Sequence, residues 1–151
     1  MARARKAEYL VLLADDSEDD GILLELAFGQ LDKLRLLPRM SDGAQTIAYL
    51  SGDGKYGDRR RYPFPDLLLL DLKMPRVNGF EVLEWLQENP CPGLVVAVLS
   101  GSGYSDDVQE ALNRGAHFFH SKELGSGRQL IALKALEQQV VRNKHLSPVR
   151  A

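Results

Sequence analysis

Three aspartates stand where apolar runs of the sequence end, and their spacing is the strongest chemical signal in the chain. Asp15 and Asp16 follow the run 9–14, and Asp71 closes the run that begins at residue 67. Both runs predict buried parallel strands, whose carboxyl ends meet at one edge of a sheet, where open α/β sheets bind their ligands. Three carboxylates at that edge repel one another unless a hard cation lies between them, and oxygen ligands favour Mg²⁺ or Ca²⁺. Any one of these acids alone could be a helix cap or a solvated loop residue, whereas the three together predict a cation site.

A serine and a lysine complete the set of side chains at the same edge. Ser100 ends the fourth apolar run, and Lys122 follows the fifth. A carboxylate is a weak nucleophile that can form an acyl phosphate, and such a transfer depends on positioning and charge neutralisation. The cation would bridge carboxylates and phosphoryl oxygens, Lys122 would neutralise another oxygen, and Ser100 would hydrogen-bond a third. These residues therefore predict a site that holds a phosphoryl group on Asp71.

The composition limits the class of protein. The 151 residues fit one domain, and 19 basic against 21 acidic residues argue against a dedicated nucleic-acid binder, because no positive excess exists to neutralise phosphates. The single cysteine, Cys91, excludes an intramolecular disulfide and fits a reducing compartment. The apolar run before Asp15 is too short for a signal sequence or a membrane span. We therefore expect a cytoplasmic protein that binds neither nucleic acid nor membrane.

Short apolar runs alternate with longer amphipathic segments, which is the pattern of βαβ units around a parallel sheet. The predicted strands cover about residues 8–14, 34–40, 66–71, 94–99 and 116–120, and the predicted helices begin near residues 17, 43, 79, 105 and 124. Pro38 favours an edge position for the second strand. The expected fold class is α/β, a flavodoxin-like doubly wound five-stranded parallel sheet with five helices. One domain is expected over residues 8–142, between a basic N-terminal tail (1–7) and a C-terminal tail (143–151).

Two segments carry local predictions. Ser17 opens the first helix in the manner of a capping box that ends at Asp20. The buried stripe of that helix is predicted to consist of Ile22, Leu23, Leu26 and Ala27. The glycines and prolines of residues 51–65 predict an irregular loop, and the arginine run 59–61 within it is interpreted as part of a solvated insertion rather than a nucleic-acid patch.

The chain resembles the receiver domain of two-component response regulators over about residues 8–142. The resemblance is carried by Asp15-Asp16, by Asp71-Leu-Lys-Met-Pro75 with Gly79, by Leu99-Ser100 and by Lys122. It implies that Asp71 is the phosphoacceptor, which takes the group from a phosphohistidine on a sensor histidine kinase, or from a phosphotransfer protein. The insertion at 52–65 also resembles the stand-alone regulators that partner phytochrome-type sensor kinases.

The same resemblance implies ligands for Mg²⁺. Asp16 would bind the ion directly and Asp15 mainly through water, and the acceptor Asp71 would contribute as well. The backbone carbonyl of Lys73 would complete the protein ligands.

The resemblance further implies how a signal leaves the site. Phe119 would be the aromatic switch, rotating inward as Ser100 moves toward the phosphoryl group, although it could also be only a core aromatic. The switch would change partner binding through the face made by the fourth helix, the fifth strand and the fifth helix. A homodimer through the last helix is also expected.

A regulator that is not an enzyme is the leading interpretation, and two other functions stay open. Phosphatases of the haloacid-dehalogenase type also use an aspartate at a strand end, but they need a second aspartate two residues later, where this chain has Lys73. A receiver-like scaffold that is never phosphorylated is kept open by Glu123, because the family usually has proline there. A residue other than proline at 123 predicts a trans peptide bond and a different loop after Lys122.

Overall fold

The apolar runs form the strands of one parallel sheet. The computed structural model describes residues 8–101, 106–122 and 126–146. The strands are β1 (Tyr9–Ala14), β2 (Leu34–Leu36), β3 (Leu67–Asp71), β4 (Val95–Ser100) and β5 (Phe118–Ser121). The helices are α1 (Glu18–Phe28), α2 (Gly43–Ser51), α3 (Gly79–Glu88), α4 (Asp106–Asn113) and α5 (Ser126–Leu146). The strand order is β2-β1-β3-β4-β5, so the predicted flavodoxin-like doubly wound fold is confirmed.

The sheet is covered on both faces, which explains why its strands are apolar without interruption. Leu68 and Leu70 of β3 face a core shared with α2, α3 and α4. Leu67 and Leu69 face the opposite core, shared with α1 and α5. All four leucines are fully buried. Successive side chains of a strand point to opposite faces, so a strand buried on both sides shows no alternation of apolar and polar residues.

The second strand is shorter than predicted. It ends at Leu36, and only Met40 pairs again with Ala14 as an isolated bridge. Pro38 lies between these two pairings and has no N–H to donate to a ladder. The strand does lie at the edge of the sheet, as the proline indicated.

The predicted buried stripe of α1 is wrong for three of its four residues. Ile22, Leu23 and Leu26 are 49%, 60% and 66% exposed. The helix instead buries Leu24, Ala27 and Phe28 against α5 and the sheet. Apolar residues occupy nearly every position from 22 to 28, so the sequence carries no periodicity that selects one face. The outcome is an exposed apolar patch on α1, defined here as Ile22, Leu23 and Leu26.

The insertion is partly folded, which corrects the interpretation for Arg59, whereas Arg60 and Arg61 are exposed, as predicted. A 3₁₀ turn covers Gly54–Gly57. The Arg59 guanidinium donates hydrogen bonds to the carbonyls of Tyr49 (2.9 Å) and Leu50 (3.1 Å) in the last turn of α2, and to Tyr62 (3.3 Å). Helix carbonyls at a C-terminus lack partners within the helix, so Arg59 caps α2. The rings of Tyr49, Tyr56 and Tyr62 pack together, with centroids 5.0–6.2 Å apart.

The last helix is longer than predicted. It continues to Leu146, whereas the domain was expected to end at residue 142 and a tail to follow. Lys144 holds the final turns of α5 near the first residues of β3 and β4. Its ammonium donates to the Gly93 carbonyl and lies 3.4 Å from Asp66 Oδ1. The predicted tail 1–7 and the last residues, 147–151, lie outside the described residues. Among the helices that the structure describes, none is both long and apolar enough to cross a membrane.

Candidate functional site

The three aspartates converge at the carboxyl edge of the sheet, between β1 and β3. Asp15 and Asp16 directly follow β1, and Asp71 is the last residue of β3. One carboxylate oxygen from each lies within 4.8 Å of the others. The strand order reverses direction here, since β2 lies to one side of β1 and β3 to the other, and such switch points form ligand crevices in open α/β sheets. Asp15 and Asp71 are buried, whereas Asp16 is exposed.

Backbone groups orient the two buried acids. The N–H of Ser17 donates to Asp15 Oδ1 at 2.9 Å, and the N–H of Lys73 donates to Asp71 Oδ1 at 3.0 Å. Each bond fixes one carboxylate oxygen and leaves Oδ2 available to the site.

The loop after Asp71 requires close backbone packing. A side chain at Gly79, the first residue of α3, would place its Cβ 2.5 Å from the Asp71 carbonyl oxygen. Asn78 caps α3 in a capping box with Glu81, which fixes where the helix begins. Gly79 therefore lets α3 begin directly against the backbone of Asp71. The start of α3 thus fixes both ends of the segment 71–79.

The Lys122 ammonium lies among the carboxylates. Its Nζ is 2.9 Å from Asp15 Oδ2, 3.1 Å from Asp71 Oδ2 and 3.1 Å from Asp20 Oδ2. Hydrogen bonds form to Asp71 and Asp20. The contact with Asp15 is an ion pair by distance, but Asp15 Oδ2 accepts no hydrogen bond and is a buried oxygen without a hydrogen-bond partner. One ammonium therefore serves three carboxylates.

The charges at the site shift two pKa values upward. Burial raises the pKa of Asp71 from 3.8 to about 6; the Lys73 N–H and the Lys122 charge oppose the rise, and the Asp15 charge adds to it. Burial alone would lower the pKa of Lys122, but the attraction of the Asp15 and Asp71 carboxylates outweighs burial and raises that pKa above its ordinary value. Lys122 thus stays charged, whereas Asp71 is a carboxylate of unusually high proton affinity that is still mostly ionised at neutral pH.

These residues suit a divalent cation of the hard type. The ligand atoms are all oxygens, and the negative charge of the acids exceeds the single positive charge of the Lys122 ammonium. Carboxylates gathered in such excess repel one another unless further positive charge lies between them. Mg²⁺ fits this set better than Zn²⁺, which prefers nitrogen and sulfur ligands.

Two further predicted site residues, Ser100 and Phe119, lie on β4 and β5. Ser100 ends β4 and pairs with Ser121 of β5, but its side chain lies outside the described part of the structure, as does Glu123. Phe119 pairs with Val98, and 47% of its surface is exposed, so it is not a core aromatic. The carbonyl of Lys73 as a ligand and the switch role of Phe119 stay predictions.

Sequence reasoning missed Asp20. The capping-box pattern assigned its side chain to the Ser17 N–H, but that N–H donates to Asp15 instead, and only the bond from the Asp20 N–H to Ser17 Oγ forms. The Asp20 carboxylate is thereby free to reach Lys122. The signal available in the sequence was the excess of acids in the first turn of α1.

Comparisons with known proteins agree with this geometry. The family profile of the response regulator receiver domain matches residues 11–134. Response regulator Rcp1 of Synechocystis sp. is 35% identical over 102 residues, which is 66% of each chain. The nitrate/nitrite response regulator protein NarL of Escherichia coli is 42% identical over 88 residues, 58% of this chain, and the match spans 40% of NarL.

Solved structures give the same result. The phosphorylated cyanobacterial phytochrome response regulator RcpA superimposes with a TM-score of 0.78 at 26% identity, covering 89% of this chain and 95% of RcpA. The Mn²⁺-bound form of Rcp1 gives a TM-score of 0.73 at 27% identity, covering 86% of this chain and 92% of Rcp1. The chain therefore belongs to the response regulator receiver domain family, and within it resembles the phytochrome-associated regulators.

Proposed function

We propose that the chain is a response regulator that accepts a phosphoryl group from a sensor histidine kinase onto Asp71 in a Mg²⁺-dependent reaction. The observation that carries the proposal is the convergence of Asp15, Asp16 and Asp71, two of which, Asp15 and Asp71, also contact the Lys122 ammonium. The kinase is of the phytochrome type, or a phosphotransfer protein stands between kinase and regulator. The description of RcpA as a phosphorylated phytochrome regulator supports this assignment.

The proposed transfer forms one bond and breaks one. A carboxylate oxygen of Asp71 attacks the phosphorus of a phosphohistidine, the P–N bond breaks, and its electron pair stays on the imidazole nitrogen. Burial at the end of β3 holds this carboxylate in a fixed position for the attack. Lys122 lies 3.1 Å from the acceptor and would neutralise charge on the transferred group. The proposed role of Ser100 is to donate a hydrogen bond to that group.

The metal would be held by Asp15, Asp16, Asp71 and the Lys73 carbonyl. When bound, Mg²⁺ supplies charge neutralisation for carboxylate and phosphoryl oxygens that would otherwise repel each other. The Mn²⁺-bound form of Rcp1 supports a divalent ion in this setting.

Incubation with acetyl phosphate and Mg²⁺ should add one phosphoryl group per chain, as measured by intact-protein mass. A chelator should prevent the addition, and hydroxylamine should remove it, because it cleaves acyl phosphates but not serine esters. A hydroxylamine-resistant adduct would contradict the proposal. An unchanged mass would favour the unphosphorylated scaffold, and steady hydrolysis of p-nitrophenyl phosphate would favour the haloacid-dehalogenase type of phosphatase.

The phosphodonor is proposed to dock on the exposed apolar patch of α1. A cleft of about 320 Å³ between α1 and α5 adjoins this patch and reaches the site, since Leu23, Leu26 and Leu130 line it together with Asp20 and Lys122. Exposed apolar patches beside a reactive centre mark surfaces that bind a partner.

Replacing Leu23 with glutamine should slow transfer from an autophosphorylated phytochrome-type kinase about tenfold, because one buried apolar anchor contributes on the order of 1–2 kcal/mol to an interface. Transfer from acetyl phosphate should not change. Ile131→Gln is the matched control, because Ile131 is 70% exposed on α5 and lies outside the cleft. Equal slowing with both donors would place Leu23 in the chemistry rather than in docking.

The signal is proposed to leave through α4, β5 and α5. Phe119 of β5 is half exposed, so inward rotation of its ring would change the surface of this face. The same face, through α5, is the proposed contact of a homodimer.

A further inference from the structure

Asp20 reaches the site without belonging to the cluster that suits a cation. Its Oδ2 accepts a 3.1 Å hydrogen bond from Lys122, whereas the oxygens that converge belong to Asp15, Asp16 and Asp71. The Asp20 side chain is 39% exposed, and the Lys122 side chain is 15% exposed. Asp20 therefore holds the ammonium from the rim of the site, while the buried acids hold it from inside.

The cap of α1 fixes the position of Asp20. Ser17 Oγ accepts from the Asp20 N–H at 3.2 Å, and the Ser17 N–H donates to Asp15 Oδ1 at 2.9 Å. Together with the two contacts of Lys122, these bonds close a ring through Asp15, Ser17, Asp20 and Lys122. Because its backbone is held by the cap, the Asp20 carboxylate is a fixed partner rather than a freely moving surface acid.

The ammonium has three N–H donors, and three carboxylates surround it. A cation among the acids would engage oxygens of Asp15 and Asp71 that now face the ammonium, and it would repel the ammonium as a like charge. Asp20 is the carboxylate that would remain with Lys122. Without Asp20, the ammonium would compete with the cation for the two buried acids.

We propose that Asp20 is a positioning residue, which retains the Lys122 ammonium at the rim when the buried acids bind the cation and the phosphoryl group. The proposal rests on the function proposed above and adds to it a fourth acid that works only through the lysine. It makes Asp20 neither a metal ligand nor a catalytic residue.

A double-mutant cycle between Asp20→Asn and Lys122→Met tests this role. The dissociation constant for Mg²⁺ is measured by calorimetry, and the rate of phosphorylation by acetyl phosphate is measured by mass. Asp19→Asn is the matched control, because Asp19 is an exposed acid of the same helical turn. Lys122→Gln replaces Lys122→Met if the methionine variant does not fold.

In the wild-type background, Asp20→Asn should weaken Mg²⁺ binding about fivefold and slow phosphorylation about tenfold, since groups in one ion-pair network couple strongly. In the Lys122→Met background, the same change should alter either quantity less than about twofold. Asp20→Glu should restore part of the loss, and Asp19→Asn should cause none.

Two outcomes would overturn the role of Asp20 alone. One is an equal loss in both lysine backgrounds, which would make Asp20 a general source of negative charge. The other is wild-type behaviour of Asp20→Asn. Failure of the wild-type chain to bind Mg²⁺ or to gain a phosphoryl group would instead overturn the proposed function, and this proposal with it.

Discussion

Replacing Asp71 with asparagine should abolish phosphoryl incorporation from acetyl phosphate. The amide oxygen is not a nucleophile, and β3 ends at this residue, so the strand offers no second carboxylate in its place. Intact mass after incubation with Mg²⁺ checks the result. Asp53→Asn is the control for the substitution itself, because the Asp53 side chain makes no cap hydrogen bond at its turn. Incorporation that persists in Asp71→Asn would move the acceptor to another residue.

The same variant should be more stable than the wild type in the absence of divalent ions. Burial raises the pKa of Asp71 from 3.8 to about 6, so between these values the folded chain binds more protons than the unfolded chain. The wild type therefore loses stability as the pH rises from about 4 to about 6, and asparagine removes this loss. At pH 7 the gain should be about 3 kcal/mol, since the pKa shift is about two units and one pKa unit corresponds to about 1.4 kcal/mol.

Urea unfolding at pH 4 and at pH 7, with a chelator present, measures this gain. The difference between variant and wild type should fall to about 0.5 kcal/mol at the lower pH, because Asp71 is then protonated in the folded chain and partly protonated in the unfolded chain. A destabilised variant at pH 7 would show that attraction to Lys122 outweighs the burial of Asp71.

Replacing Lys122 with methionine should destabilise the chain by about 3 kcal/mol at pH 7 without Mg²⁺, because removing one partner of a buried ion pair leaves uncompensated charge. The carboxylates of Asp15 and Asp71 would then face each other without an ammonium. Urea unfolding measures the loss. Lys134→Met, at an exposed position of α5, is the control and should change stability by less than about 0.5 kcal/mol.

Two changes of conditions, added Mg²⁺ and a lower pH, should each restore much of the stability of Lys122→Met. Mg²⁺ should replace the missing positive charge, and a pH near 5 should protonate Asp71. The phosphorylation rate should remain low even with Mg²⁺, because the group that neutralises the phosphoryl oxygen is gone. Destabilisation that Mg²⁺ does not reverse would mean that Lys122 contributes mainly through packing.

The sequence predicted the sheet and the convergence of the three aspartates, for one physical reason. Residues 67–70 are all leucine because both faces of the sheet are covered, and such a run can hardly be anything but a buried strand. Once the strands are known, parallel order carries Asp15, Asp71 and Lys122 to the same edge. The site follows from chain order alone.

The sequence failed where several partners competed for one group. The α1 segment has apolar residues all round, so only packing against α5 decides that Leu24 is buried and Leu23 is not. Asp20 matched a local capping pattern, in which its carboxylate accepts from the Ser17 N–H. That N–H donates to Asp15 instead. Arg59 looked like a surface charge because its acceptors are backbone carbonyls, which a side-chain pattern does not reveal.

The role of Arg59 has a consequence for how this chain can vary in length. The insertion supplies the donor that completes α2, and its tyrosines cover Tyr49, which is itself fully buried. A descendant that lost residues 52–65 would lose both the cap of α2 and the aromatic rings that cover Tyr49. It would need another hydrogen-bond donor for the carbonyls of Tyr49 and Leu50. The insertion and the end of α2 are therefore expected to evolve together, so that gain or loss of residues 52–65 requires a compensating change in α2.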